Sequence, residues 1–385
     1  MADFDSISIN PPEIPAALPP IRSAPTSVAA FIGIAQRGPV NQPVMLNGIA
    51  DFIHNFGDLN PAIAVGLAIS QFFKNGGREA WFVRVGRDSR SIDILGTAAE
   101  KTGLYALEQV EAFNLLCIPS LSQLSERERE TALQEVIQYC QSRRAILLYD
   151  LPVEVVDPTG VKRWLKEHDN TRQPNLAVYF PNLRIVDPLN MDRTCLVGPG
   201  GTVAGFLSRN DLNNGIWHEP SGAELQLAGV MGLSYSLAPK EIDYLDSLGI
   251  NCLRRTGEFG AVVAGAKTLA GTEPFPPEWR NLTIRRMTLF IQESLHQGTR
   301  WVSSRENGVS LWAGLRHQIT GFMEELFQQG AFQGQTAAEA YFVKCDQETT
   351  SQREMAQGIV NVLIGFAPLN PGKFVILKLT RLARK

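Results

Sequence analysis

The sequence predicts an α/β fold, α+β overall, whose middle domain carries a mainly parallel sheet and whose two ends are extended arms. Three observations predict it. Between residues 113 and 180, apolar runs of strand length alternate with helical patterns: Phe113–Ile118, Ala145–Tyr149 and Leu176–Phe180, with a helix in each gap. Strands and helices alternating at this spacing favour right-handed crossovers and a parallel sheet. The first segment is studded with Pro11, Pro12, Pro15, Pro19, Pro20 and Pro25, each fixing its own φ and biasing its predecessor towards extended backbone. The last segment, Phe374, Val375, Ile376, Leu377, Lys378, Leu379 and Thr380, reads as a strand with apolar residues on both faces. A strand buried on both faces has to lie in a sheet, and the nearest sheet is expected in another molecule.

The elements follow in order. Residues 1–25 form an arm, with Ile14, Leu18 and Ile21 as apolar anchors that a free tail would not need. Val28–Ala35 is a buried strand ended by the turn Gln36-Arg-Gly-Pro39. Asn60 and Pro61 are the N-cap and first residue of a helix running to Lys74 and stopped by Asn75-Gly76-Gly77. Ala80–Val85 is the next strand. Arg87–Thr102 is polar and predicts a domain boundary. Ser125, with Glu128 three residues on, predicts a capping box for a helix carrying Leu133, Val136, Ile137 and Cys140 on one face. Pro158–Asp169 is a further helix.

The last third has a different pattern. Leu282–Gln297 is helical, with Ile284, Met287, Ile291 and Leu295 in one stripe. Ser310–Gln329 is the clearest amphipathic helix: Leu311, Leu315, Ile319, Phe322 and Leu326 lie on one face. Ala340–Cys345 and Ile359–Phe366 are strands, and Pro368–Gly372 separates the second from the terminal strand. The expected organisation is an arm over 1–25, the N-terminal part of a core domain over 26–95, a middle α/β domain over 96–255, the C-terminal core domain over 256–370 and an arm strand over 371–385.

Composition narrows the function. The 385 residues carry a formal net charge of −3, so no overall basic field points to nucleic acid. No apolar run is long enough for a membrane-spanning helix, and the acidic start Met1-Ala-Asp-Phe-Asp5 does not read as a secretory signal. Cys117, Cys140, Cys195, Cys252 and Cys345 are odd in number and far apart, the pattern of reduced, mostly buried thiols. The five histidines form no metal-binding spacing.

Gly198-Pro-Gly-Gly-Thr-Val-Ala-Gly205 has the look of a phosphate cradle but lacks GK[ST] and the GxGxxG spacing. A tight turn into a helix is the default reading. Asp150 ends a predicted strand, where α/β enzymes place carboxylates. No acid or base partner accompanies it, and a turn-forming role before Leu151-Pro152 is expected. Gly232-Leu-Ser-Tyr-Ser236 lacks the second glycine of a nucleophile elbow. No catalytic residues, metal or cofactor are assigned.

The chain resembles the tail sheath proteins of contractile phages and related injection systems. Arg285-Arg-Met-Thr-Leu-Phe-Ile-Gln-Glu-Ser-Leu295, Gly298-Thr-Arg-Trp301, Leu311-Trp312, Gln329-Gly-Ala-Phe332 with Gly334, and Ala340–Asp346 resemble that family's C-terminal domain. Val197–Gly205 with Gly215-Ile-Trp217 resembles the middle domain. Gly265-Ala-Lys-Thr-Leu269 resembles the approach to the C-terminal domain, and Phe31–Pro39 and Gly76-Gly77 with Trp81–Val85 the N-terminal region.

The resemblance implies a non-enzymatic subunit that polymerises with itself as stacked hexameric rings around an inner tube, with baseplate and terminal cap proteins as further partners. It would be built in the bacterial cytoplasm and belong to a phage tail or injection particle, with no nucleic-acid partner and no membrane insertion. The arms would join neighbouring subunits by strand addition, and contraction would need no nucleotide. Arg285, Arg286, Arg316, Glu324 and Glu325 are the candidate tube-facing charges. Competing readings are a sheath-like cap, a second sheath isoform, and an α/β ligand-binding enzyme using the sheet of residues 103–250.

Overall fold

Short apolar runs without helical period become strands wherever a neighbour can cover both of their faces. The computed structural model describes residues 18–86, 91–221, 226–257, 260–271, 274–369 and 374–384. Of these, 24–293 with 368–369 and 374–375 form one compact unit, and 18–23, 294–367 and 376–384 form a second.

The first unit begins with β1 (Ala29–Gly33), β2 (Pro43–Leu46), α1 (Ile49–Phe56), α2 (Ala64–Lys74), β3 (Ala80–Arg84) and α3 (Ser91–Leu95). It continues through β4 (Leu115–Cys117), α4 (Glu126–Ser142), β5 (Ile146–Asp150), α5 (Pro158–Glu167), β6 (Leu176–Phe180), β7 (Leu183–Asp187), β8 (Asn190–Val197) and α6 (Gly200–Asn214). It closes with β9 (Val230–Leu233), α7 (Pro239–Ser247), β10 (Ile250–Thr256), β11 (Gly260–Ala264) and the first three turns of α8 (Leu282–Gly298).

Eight strands form one sheet in the order β11-β10-β6-β5-β4-β1-β3-β2. The six between β10 and β3 run parallel, and β2 and β11 add antiparallel edges. One face, with Phe31, Phe82, Leu148 and Tyr179, is covered by Phe52, Phe72, Val203, Leu207 and Leu289. The opposite face, with Ile32, Leu116, Leu147 and Val178, is covered by Leu133, Val136, Val161, Trp164 and Leu245. The mainly parallel sheet is therefore doubly covered, as the alternating pattern predicts. A smaller sheet, β8-β7-β9, packs Leu183, Ile185 and Val197 onto the first of these cores.

Three expectations change. Residues 87–102 are not a boundary: β3 and β4 flank β1 in the same sheet, and α3 lies in that stretch with Ile94 in the core. Its polar composition hid a helix that buries a single main anchor. The helix expected from Pro61 begins at Ala64; Asn60 accepts from the Ala62 N–H at 2.9 Å and closes a turn before it. At Ser125 the hydroxyl bonds the Glu128 carboxylate, while no side chain caps the backbone of α4.

The second unit contains the last turn of α8, then α9 (Val309–Gln328), α10 (Ala337–Ala340), β12 (Tyr341–Lys344), α11 (Gln352–Ala356), β13 (Ile359–Phe366) and β14 (Val375–Leu382). Its three strands are ordered β12-β13-β14. The apolar stripe of α9, Leu315, Ile319, Phe322, Met323 and Leu326, is buried as its periodicity predicts. Trp312 donates its indole N–H to Asn307 and Trp301 to Gln318, so both anchors satisfy their polar edges.

Within the first unit, α6 lies against α2 through two glycines one turn apart. A Cβ on Gly201 would run into the Ala68 carbonyl, and one on Gly205 into the Phe72 carbonyl and, at 2.9 Å, the Asn75 side chain. These are backbone obstacles that cannot rotate away. Gly205→Ala is therefore expected to destabilise the protein by about 1–3 kcal/mol, read as a drop of the thermal midpoint; Gly321→Ala, inside α9 with open space around its Cβ position, should instead raise the midpoint slightly, by the helix-propensity gain of about 0.5–1 kcal/mol.

Candidate functional site

Asp150 is the enzyme-like feature of the sheet, and its environment shows where its chemistry goes. It sits at the carboxyl end of β5, 6% exposed. Its Oδ1 accepts the Gly200 N–H at 2.7 Å. Gly200 is the first residue of α6, so the carboxylate stands at the positive end of that helix, the place an anionic ligand would take. A Cβ on Gly198 would collide with the Asp150 carboxyl group. The glycine-rich run is thus a close-approach device for a carboxylate and for α2. The tight-turn reading holds, while Asp150 acts as a clamp fifty residues along the chain from its partner and not as a local turn former. Burial pushes its carboxyl up to about 7, and the Gly200 N–H pulls it partly back.

Among the described residues no group of three or more His, Cys, Asp or Glu side chains is placed to hold a metal ion. No helix among them is long and apolar enough to cross a membrane. Cys117, Cys140, Cys252 and Cys345 are buried free thiols, and Cys195 is half-exposed.

The charged residues expected to face a partner separate into two kinds. Arg285 and Arg286 are buried in the first unit, which corrects their assignment to a docking surface. Arg285 lies over the Trp279 ring, 4.5 Å from its centroid, and donates through Nε and Nη2 to Asn175 Oδ1 at 3.2 and 2.5 Å. Burial pulls its guanidinium down to about 10. Arg286 pairs with Asp211 at 2.9 and 2.5 Å, with both side chains at most 3% exposed, and donates to the Thr26 carbonyl. Burial raises the Asp211 carboxyl, and Arg286 opposes that shift.

Helical spacing places both arginines beside the apolar stripe of α8, and no pattern in the sequence pairs them with Asn175 or Asp211, which are 110 and 75 residues away. By contrast, Arg316 and Glu325 lie exposed on α9. Arg316 reaches the Cys345 carbonyl at 2.7 Å, and the half-buried Glu324 accepts from the Tyr341 hydroxyl at 2.7 Å.

The two ends of the described chain both lie in the second unit, except that Phe374 and Val375 belong to the first. Ile21 is 3% exposed and packs against Gly298, where a Cβ would come within 2.7 Å of it. Leu18 packs at Gly314, and the Pro19 carbonyl accepts from Gln318. Ile14 lies outside the described residues.

β14 occupies the edge of its own chain's sheet. The Ala383 N–H reaches the Gly358 carbonyl at 2.7 Å, and Thr380 donates to Asn361 at 2.9 Å, so β14 runs against β13. The basic tail is held as well: Arg381 donates to Thr299 and to the His296 carbonyl, and Arg384 bonds the backbone of Arg305 and Asn307. Val375 and Leu377 are buried, but Phe374, Ile376, Lys378 and Leu382 are exposed. In the single chain this strand has one covered face, not two, and no described strand pairs its outer edge.

No protein-family model and no curated protein matches this chain. Solved structures do. The sheath of the anti-feeding prophage in its contracted state is 22% identical, with a TM-score of 0.75 over 98% of this chain and 100% of that one. The PVC sheath complex of an extracellular contractile injection system, also contracted, is 20% identical, with a TM-score of 0.74 over 99% and 98%. The sheath tail protein of Listeria innocua is 11% identical, with a TM-score of 0.64 over 94% and 96%. The chain has the fold of contractile sheath proteins along its whole length, as the sequence resemblance predicts.

Two outcomes test the internal roles assigned to these charges. Because the folded-state carboxyl of Asp150 titrates above its unfolded value of 3.8, its contribution to stability is full below about pH 4, declines as pH rises to about 7 and stays lost above that. Asp150→Asn keeps an acceptor for Gly200, so the thermal midpoint of the variant relative to wild type should rise across that window. Removing one partner of the buried pair, Arg286→Ala, should cost about 3–5 kcal/mol in a denaturant titration, whereas Glu325→Lys should leave the midpoint unchanged.

Proposed function

We propose that this chain is a structural subunit of a contractile sheath. It polymerises as stacked hexameric rings around an inner tube and contracts, without nucleotide hydrolysis, to drive that tube forward. The observation that carries the reading is β14, a terminal strand at the edge of a small sheet, with Ile376 and Leu382 60% and 67% exposed on its uncovered face. Exposed strand edges and apolar strand faces are templates for pairing with another chain. A sheet that one terminal segment completes within its own chain can accept the same segment from a neighbour with the same hydrogen bonds. Contacts of that kind propagate into a helical polymer.

The whole-length likeness to sheath proteins supports the reading, as does Asp150 filling the helix terminus where an enzyme of this architecture would hold phosphate. Baseplate and terminal cap proteins are the further partners, and assembly in a bacterial cytoplasm precedes incorporation into the particle. Arg316, Glu324 and Glu325 remain the candidates for the tube-facing surface. Leu18 and Ile21 pack within their own chain, so the reach to a neighbouring subunit is proposed for the residues before them, Ile14 included.

Co-expression with the candidate tube protein and negative-stain electron microscopy test this directly. Full-length protein should give striated tubes, and a chain ending before Phe374 should give none. Monodisperse particles from both would overturn the polymer reading. In the same assay, Arg316→Glu with Glu325→Lys should leave a folded protein that no longer decorates the tube.

A further inference from the structure

A cavity of about 110 Å³ opens at the carboxyl ends of β4 and β5. It lies beside the switch point of the large sheet, where β1 leads to β3 on one side and to β4 on the other. Crevices at such positions are where open α/β sheets take ligands. Asp150 lies against it, with Ser122 and Asn182 as further polar lining. The Gly200 N–H occupies Asp150 Oδ1, and among the described residues no donor reaches Oδ2. The Ser122 hydroxyl donates to the Pro119 carbonyl, which leaves its lone pairs free to accept. The mouth is apolar: Val153 and Leu196 line it and are 58% and 52% exposed.

A cavity whose lining combines a carboxylate with exposed apolar side chains suits a long aliphatic stem ending in a cation. With one oxygen free, a compact ammonium fits better than the two-pronged guanidinium of arginine. We propose that this pocket receives a lysine side chain from a second copy of the chain, its ammonium on Asp150 Oδ2 and its stem against Val153 and Leu196. The three ammonium protons would find Asp150, the Ser122 hydroxyl and the side-chain amide oxygen of Asn182, whose backbone carbonyl already accepts from the Ser234 N–H. A macromolecular source is favoured over a free amine because the exposed apolar lining is then covered together with the charge. The proposal rests on the self-assembly reading above and supplies that assembly with a contact independent of the terminal strands.

Asp150→Asn tests it, since the amide retains an acceptor for Gly200 while removing the charge. The variant should keep the wild-type circular dichroism spectrum and raise the protein concentration needed for polymerisation by at least about tenfold. Carbodiimide treatment of wild-type polymers should give an intermolecular Asp150–lysine peptide in the mass spectrum, absent from the variant. In the soluble protein, n-butylammonium chloride should raise the thermal midpoint of wild type above that in equimolar sodium chloride, and should not do so for the variant.

Equal polymerisation of the two proteins with no Asp150 cross-link overturns the proposal and leaves the sheath reading standing. Failure of wild type to polymerise overturns the assembly reading itself. Selective butylammonium binding in that case would assign the pocket to a free amine in place of a second copy.

Discussion

The close seating of α6 on the large sheet is the constraint on which the first unit depends. A parallel sheet is stable only when both faces are covered, and α6 covers the centre of one of them with Val203, Phe206 and Leu207. It can approach because Gly201 and Gly205 present no side chain to α2, and it is held at its first residue by the Asp150 carboxylate. Burying that carboxylate has a cost, visible in the upward shift of its titration. The helix terminus and its N–H offset part of it.

The same arrangement bears on function. In an α/β enzyme the N-terminus of a helix following a glycine-rich turn is open to an anionic substrate. Here an internal carboxylate is already there, and a glycine at position 198 is what lets it in. The helix terminus is thus occupied from within the chain.

Charge on α8 and α9 divides along the same physical line. Arg285 and Arg286 are buried and spend their hydrogen bonds on Asn175, Asp211 and Thr26. Removing one partner leaves an uncompensated charge in a dry interior. Arg316 and Glu325 are exposed on α9, where charges contribute little to stability, although Arg316 already reaches the Cys345 carbonyl. The terminal strand shows a related division, with Val375 and Leu377 buried while Ile376 and Leu382 remain uncovered.

The sequence by itself determined the strands and helices whose signal is local. The apolar runs of β1, β4, β5 and β6 and the stripe of α9 are each legible within one element, because a strand covered on both faces reads as a short continuous apolar run and a helix imposes a period of 3.6. The resemblance carried by Arg285–Trp301 and Val197–Gly205 was also legible, and it led to the fold that the solved structures share. What only the tertiary structure decided were relations between distant residues. Asp150 finding Gly200, Arg286 finding Asp211, and β3 and β4 closing on β1 across a polar stretch have no periodic trace. β14 likewise reads as apolar on both faces, and only the packing shows that one face is covered. Partners of this kind are set by where the sheet brings chain segments together, and the energy that selects them, desolvation of a charge or of a face, exists only once that packing has formed.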